Sequence, residues 1–188
     1  QVFLRHPLPP PPKRHLALTA ACGACGREAL PDLGKLGLSP PPPLAVDPDL
    51  LLALPERLGE AQRLFRATGG LHAAALFDRE GRLVALREDV GRHNALDKLI
   101  GWAFLQGKLP LHDHILLVSG RAGYELLVKA VAAGIPVFCA VSAPTSLAVA
   151  LAQAYGLTLV GFLRPGRMNV YAGRERVGPP RGLPNPCG

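Results

Sequence analysis

Apolar residues recur at helical spacing through Leu50, Leu51, Leu54, Leu58, Ala61, Leu64 and Phe65, which paints one stripe along a helix that faces a core. Asp47-Pro48 starts it, an N-cap side chain followed by proline at the first helical position. Pro55 is expected to divide the run into two helices, because a proline inside a helix has no N–H for the ladder. Thr68-Gly69-Gly70 is the expected stop, and cap and ligand contact are equally good readings of that glycine pair. Strand-like stretches follow at Leu71 to Asp78 and Leu83 to Arg87, and Arg79-Glu80-Gly81 between them predicts a hairpin. His93 to Gln106 reads as a helix with Leu96, Leu99, Ile100, Ala103 and Phe104 on one face. Ile115 to Ser119, Pro136 to Ser142 and Leu157 to Leu163 are short apolar runs and predict buried strands. Between them, Gly123 to Ala133 predicts a helix ended by Gly134, and Thr145 to Tyr155 one capped by Thr145 or Ser146.

Strands alternating with helices of this length specify crossovers onto a largely parallel sheet covered on both faces. The predicted fold class is α/β, a three-layer α/β/α sandwich over residues 47–176 that opens with a hairpin. Residues 1–46 form a proline-rich segment, with Pro7, Pro9 to Pro12 and the run Ser39 to Pro43 reading as connections around a flexible cysteine loop. Residues 177–188, with their prolines and Cys187, are expected to be a disordered tail. Gln1-Val2-Phe3-Leu4 reads as the end of a strand with no beginning, so a fragment missing its N-terminal portion is expected.

Composition narrows the partner more than the fold. With 188 residues, 48% of them hydrophobic, the chain can build one compact domain with a core. No apolar run reaches the roughly 18 residues of a membrane helix, and no start resembles a signal peptide, so no membrane partner is expected. Four cysteines, one pair closely spaced, argue against a disulfide framework and for a reducing cytoplasm. Twenty-one basic against fourteen acidic residues leave a net charge of +7, which favours an anionic partner. Aromatic content of 5% gives no ladder for stacking bases, which points away from nucleic acid and toward a phosphorylated small molecule or an acidic protein surface.

The chemistry that no scaffold needs sits in Cys22-Gly23-Ala24-Cys25-Gly26. Thiolate character in such a pair can be raised by a pKa lowered from about 8.5 toward roughly 3.5 to 7.5. A structural zinc would need four ligands, and Cys139 and Cys187 are isolated, so no metal site is expected. A thioredoxin-type pair would open a helix, yet Pro31 and a Pro/Gly-rich run follow within a few residues. A persulfide carrier or exchange loop fits better than either. In α/β sheets ligands gather where strands end. The loops Glu88 to Asn94, Ser119-Gly120-Arg121, Ser142 to Ser146 and Phe162 to Arg167 all follow predicted strands and would converge on one crevice. Taken singly, Ser142 and Thr145 are ordinary helix caps, and Glu88 with Arg92 a surface ion pair. Taken together they make an anion-binding crevice, where Arg164, Arg167 and Arg121 fork onto phosphate oxygens and Phe162 offers a face for a base.

Six ordered motifs carry a resemblance: the cysteine pair, Thr68 to Ala74, Glu88 to Lys98, Ser119-Gly120-Arg121, Ser142 to Ser146, and Arg167 to Tyr171. Together, from about Thr19 to Gly173, they resemble the FdhD family, the formate dehydrogenase accessory sulfurtransferases. The resemblance implies a cytidine deaminase-like fold, a homodimer, and a sulfurtransferase. Such a protein takes sulfur from a cysteine desulfurase as a persulfide and delivers it to molybdenum bis(molybdopterin guanine dinucleotide), its bound substrate, for formate dehydrogenase. It also implies that Cys22 carries the persulfide with Cys25 supporting it. Phe162, Leu163, Arg164, Pro165, Gly166 and Arg167 would hold the cofactor, joined by Arg121, His93, Ser142 and Thr145. Family members carry a longer region ahead of the cysteine loop than this chain does. A zinc deaminase is a poor alternative, because His-X-Glu and Pro-Cys-X-X-Cys are both missing. A chaperone that holds the cofactor without turning over sulfur is the other alternative.

Overall fold

The computed structural model describes residues 37–178, so Cys22, Cys25, Cys187, the expected cysteine loop and all of the expected tail but Val177 and Gly178 lie outside the described residues. Helix α1 spans Pro48–Ala61, and the Asp47 carboxylate accepts from the Asp49 N–H at 2.8 Å. Pro55 does not divide the helix, which runs straight through it. Leu51, Leu54 and Leu58 are buried on that helix, and burying three leucines is worth about 5 to 9 kcal/mol. An interior proline costs about 3 kcal/mol, so the packing wins. The break falls instead at Gln62, whose φ of −74° and ψ of 77° turn the chain before α2, Arg63–Thr68. That turn takes α2 out of phase with the buried stripe, so Leu64 and Phe65 are 56% and 41% exposed rather than packed as the spacing predicts. Gly69, at φ 69°, ends α2 in the left-handed conformation that suits glycine.

Strands β1, His72–Phe77, and β2, Leu83–Asp89, form the predicted hairpin. The Asp78 carboxylate shapes its turn by accepting from the N–H groups of Glu80 at 3.0 Å and Arg82 at 2.8 Å. Helix α3, Arg92–Leu105, buries Ala95, Leu96, Leu99 and Ala103. Phe104 is 69% exposed, not packed, because it stands about 100° round the helix from Ala103. Then follow β3, Ile115–Val118; α4, Tyr124–Ala132; β4, Val137–Ala140; α5, Ser146–Ala154; and β5, Thr158–Arg164. Strand β6, Arg167–Ala172, is an element that the apolar pattern does not predict.

The six-stranded sheet has the order β2-β1-β3-β4-β5-β6. Only β3 with β4 and β4 with β5 pair in parallel, so the sheet is mixed rather than largely parallel. The hairpin inserts β1 between β2 and β3 and against both, and β6 returns from β5 through a tight turn that needs no crossover. Successive strand residues face opposite sides and build two cores. Leu76, Leu116, Phe138 and Leu159 pack with α3, α4 and α5, while Phe77, Leu117, Cys139 and Val160 pack with Leu51, Leu54 and Leu58 of α1. At the far edge Val46 pairs with Val177, and the Val46 N–H donates to the Arg176 carbonyl at 2.8 Å.

Candidate functional site

Strand β1 runs against both β2 and β3, so β2, β3, β4 and β5 all end on one edge of the sheet, where β1 begins. The four loops singled out in the sequence therefore share that edge. They do not share one crevice: β2 lies four strand spacings from β5, about 19 Å at about 4.8 Å each. A cleft of about 510 Å³ opens on the α1 side of that edge. Pro55, Leu58, Gln62 and Phe65 form its helical wall, Gly69, Gly70, Leu71 and His72 one end, and Ser119, Val141, Leu163, Arg164 and Pro165 the strand ends.

Each wall follows from local structure. Ser119 closes the β1/β3 ladder: its N–H donates to the Ala73 carbonyl at 3.0 Å and its Oγ accepts from the Ala73 N–H at 2.9 Å. The hydroxyl proton of Ser119 is thereby left to be donated elsewhere. Gly120 sits so close to His72 that a methyl group there would stand 3.4 Å from Nδ1. The loops after β3 and β4 are tied together, since the Thr145 N–H donates to the Ala122 carbonyl at 3.0 Å and Ala122 returns a bond to Ala143 at 3.1 Å. Arg164 and Arg167 face each other across a turn made by Pro165 and Gly166, whose φ of 76° requires glycine. Just before it the β5/β6 register slips, and Phe162 adopts a φ of 50°, a conformation phenylalanine rarely takes.

Of the residues proposed from sequence, Leu163, Arg164 and Pro165 line the cleft. Phe162 lies next to them and is 40% exposed, while Gly166 and Arg167 complete the turn. Arg121 is exposed in the loop after β3. His93 instead faces α4, with Nε2 3.3 Å from Glu125 Oε2; burial lowers its pKa, helped by the charge of Arg92. The Ser142 carbonyl accepts from the Phe162 N–H at 3.1 Å, and the Thr145 Oγ1 caps α5 by accepting from the Ala148 N–H at 3.2 Å. Pro55, Gln62 and Phe65 are site residues that sequence reasoning missed, and their only trace in the sequence is the polar residue that interrupts an apolar run. Glu88 takes a role that the sequence did not suggest: its carboxylate accepts from the N–H groups of Leu64 at 3.1 Å and Phe65 at 2.8 Å, clamping α2 to β2. Its neighbour Asp89 is held at a pKa of about 2 by the Lys98 ammonium, the Gly91 N–H and Asn94. Cys139 is the one cysteine among the described residues; burial raises its pKa, which leaves it an inert thiol of the core.

A family model described as FdhD/NarQ family matches residues 5–178, which takes in the cysteine pair, the cleft and the β5/β6 turn. The chain belongs to the FdhD/NarQ family. Among curated FdhD relatives, the sulfur carrier protein FdhD of Streptomyces avermitilis is 57% identical over 168 residues, 88% of this chain and 60% of that protein. The sulfur carrier protein FdhD of Sulfurisphaera tokodaii is 50% identical over 164 residues, 87% of this chain and 63% of the relative. The chain thus spans about three fifths of the length of the FdhD proteins it matches. A crystal structure of a candidate formate dehydrogenase accessory protein from Desulfotalea psychrophila superposes with a TM-score of 0.68 at 31% identity. The superposition covers 74% of this chain and 58% of that one.

Proposed function

We propose that this FdhD/NarQ-family chain is a sulfur carrier for formate dehydrogenase maturation. It takes sulfur from a cysteine desulfurase and transfers it to molybdenum bis(molybdopterin guanine dinucleotide). The observation that carries the reading is that one family match, over residues 5–178, takes in both the cysteine pair and the strand-end cleft. The names of the relatives support the same role, as does the accessory-protein description of the solved neighbour. Dimerisation, cytidine deaminase-like layering and a cytoplasmic location belong to the same proposal. No helix among the described residues is long and apolar enough to cross a membrane.

In this reading the Cys22 thiolate attacks the terminal sulfur of the donor's persulfide. The new S–S bond forms as the donor's breaks, and the donor leaves as a thiolate. The Cys25 thiolate then attacks Cys22 Sγ. The persulfide bond breaks, hydrosulfide departs toward the molybdenum, and a Cys22–Cys25 disulfide remains for an external thiol to reduce. Phe162 to Arg167 hold the guanine dinucleotide arm of the substrate, with Arg164 at the cleft taking a phosphate and Phe162 a base face. Arg121, His93, Ser142 and Thr145 complete the proposed set.

Incubating the chain with a cysteine desulfurase and cysteine, then measuring intact mass and mapping peptides, tests the proposal. A gain of one sulfur on the peptide that holds Cys22, abolished in Cys22→Ala, is the expected result. A chain that gains no sulfur yet still binds guanine nucleotide is a cofactor chaperone without sulfur turnover, and the transfer mechanism is then wrong.

A further inference from the structure

At the junction of α1 and α2 a polar side chain is buried where only apolar ones would be expected. Gln62 is 7% exposed and lines the cleft, and among the described residues its carboxamide makes no hydrogen bond. Its backbone is fully used: the N–H donates to the Leu58 carbonyl at 3.1 Å, and the carbonyl accepts from the Arg66 N–H at 3.2 Å. The side chain is therefore not what breaks the helix. Its amide opens onto the cleft, so the group that pairs with it comes from what the cleft holds, water or a ligand. The cleft around it restricts what that ligand is. Leu58, Phe65, Leu71, Val141 and Leu163 give it apolar walls, which suit a flat ring. A phosphate at this depth would call for a cation, and Arg164 stands exposed at the rim instead. A sugar would call for more polar groups than Gln62, His72 and Ser119.

We propose that Gln62 reads the 2-amino-4-oxopyrimidine edge of a bound heterocycle, its carboxamide oxygen accepting from the ring N–H and its NH₂ group donating to the ring oxygen. That edge is common to guanine and pterin. The proposal rests on the cofactor reading above for the identity of the ring, since a carboxamide can also pair with adenine. What it adds is a residue that pairs with the ring edge, which lies on the α1–α2 junction rather than on the β5/β6 turn.

The test measures binding of GDP, ADP and 6-hydroxymethylpterin to the 188-residue chain and to Gln62→Leu and Gln62→Met. Gln62→Met keeps the length of the side chain and loses its amide without adding a charge, so it guards against a variant that simply misfolds. Arg164→Ala serves as a phosphate control. The expected result is that the wild type binds GDP and that both Gln62 variants lose affinity for it about 10-fold, with ADP reporting whether the amide also meets an adenine edge. Loss for the pterin alone, with GDP unchanged, assigns the pterin to Gln62 and supports the edge reading. Unchanged affinity for both ligands overturns the role of Gln62 while Arg164→Ala still weakens GDP, so the cofactor reading survives. A wild type that binds neither GDP nor pterin overturns the inference and the cofactor reading together.

Discussion

A methyl group at position 161 has no room. An ideal Cβ on Gly161 would stand 2.8 Å from Pro144 Cδ and 2.9 Å from Tyr171 Cε2. The loop after β4 and strand β6 therefore both close onto bare backbone here, immediately before the left-handed Phe162. Gly161→Ala should destabilise the chain by about 1 to 3 kcal/mol, the usual result of overpacking. A lower urea midpoint at unchanged slope would show it, and an unchanged midpoint would mean that Pro144 and Tyr171 yield freely. Nothing in the sequence marks this glycine, because close approach is a property of two other segments. Arg164 is the opposite case: a cation directly after an apolar run is legible as a strand-end binding group from its type and position alone, and it does line the cleft.

At the scale of elements, α2 shows how a helix with no buried residue is held. Six residues are too few to be stable alone, and its own N-cap offers no side-chain bond. The Glu88 carboxylate substitutes for the cap from across the hairpin, accepting two N–H groups that would otherwise be unpaired. Glu88→Ala should cost about 1 kcal/mol of local stability, the typical worth of a cap. Hydrogen exchange at Leu64 and Phe65 should quicken while exchange within β1 stays unchanged; equal effects on both would make Glu88 a global support instead. Because Phe65 lines the cleft, the same variant should weaken ligand binding as well. The helix start at Asp47-Pro48, the hairpin turn and the stop at Gly69 were legible because each depends on residues within a few positions. The survival of α1 through Pro55 was not, since it depends on what three leucines meet across the fold. Strand β6 shows the alternation of a strand in Arg167, Met168, Asn169 and Val170, with the even positions the less exposed, but its motif drew attention to chemistry instead.

For the whole molecule, alternating helices and strands announced a sheet with helices on both faces, but not its order. Each crossover is local to its stretch of chain, whereas the insertion of β1 beside β3 is decided by which apolar faces meet. The same assembly sets the response to pH, and the sign can be worked out group by group. Burial lowers the pKa of His93 from its ordinary 6.5, with Arg92 and Lys129 adding to the effect and Glu125 and Asp97 opposing it. Burial also lowers that of His114 from 6.5. For both, the unfolded chain takes up its proton first, so stability is lost as pH falls through 6.5 toward the lower folded values. Asp89 is ionised in the fold down to about 2, against 3.8 when unfolded, so its contribution is complete above 3.8 and disappears as pH falls to about 2. Cys139 acts at the other end: burial raises its pKa above the ordinary 9.0, so stability is also lost as pH rises beyond 9.0. The urea midpoint should therefore be highest between these limits and decline in two acid stages. Replacing both histidines, His93→Gln with His114→Gln, should flatten the first stage and leave the second, whereas Asp89→Asn should lower the neutral midpoint and shrink the second, to which Asp78, its pKa also lowered, still contributes. A wild-type midpoint that stays level from pH 7 to about 5 would show that the histidines are solvated in the fold, and that α3 packs less tightly on α4 than the His93–Glu125 contact requires.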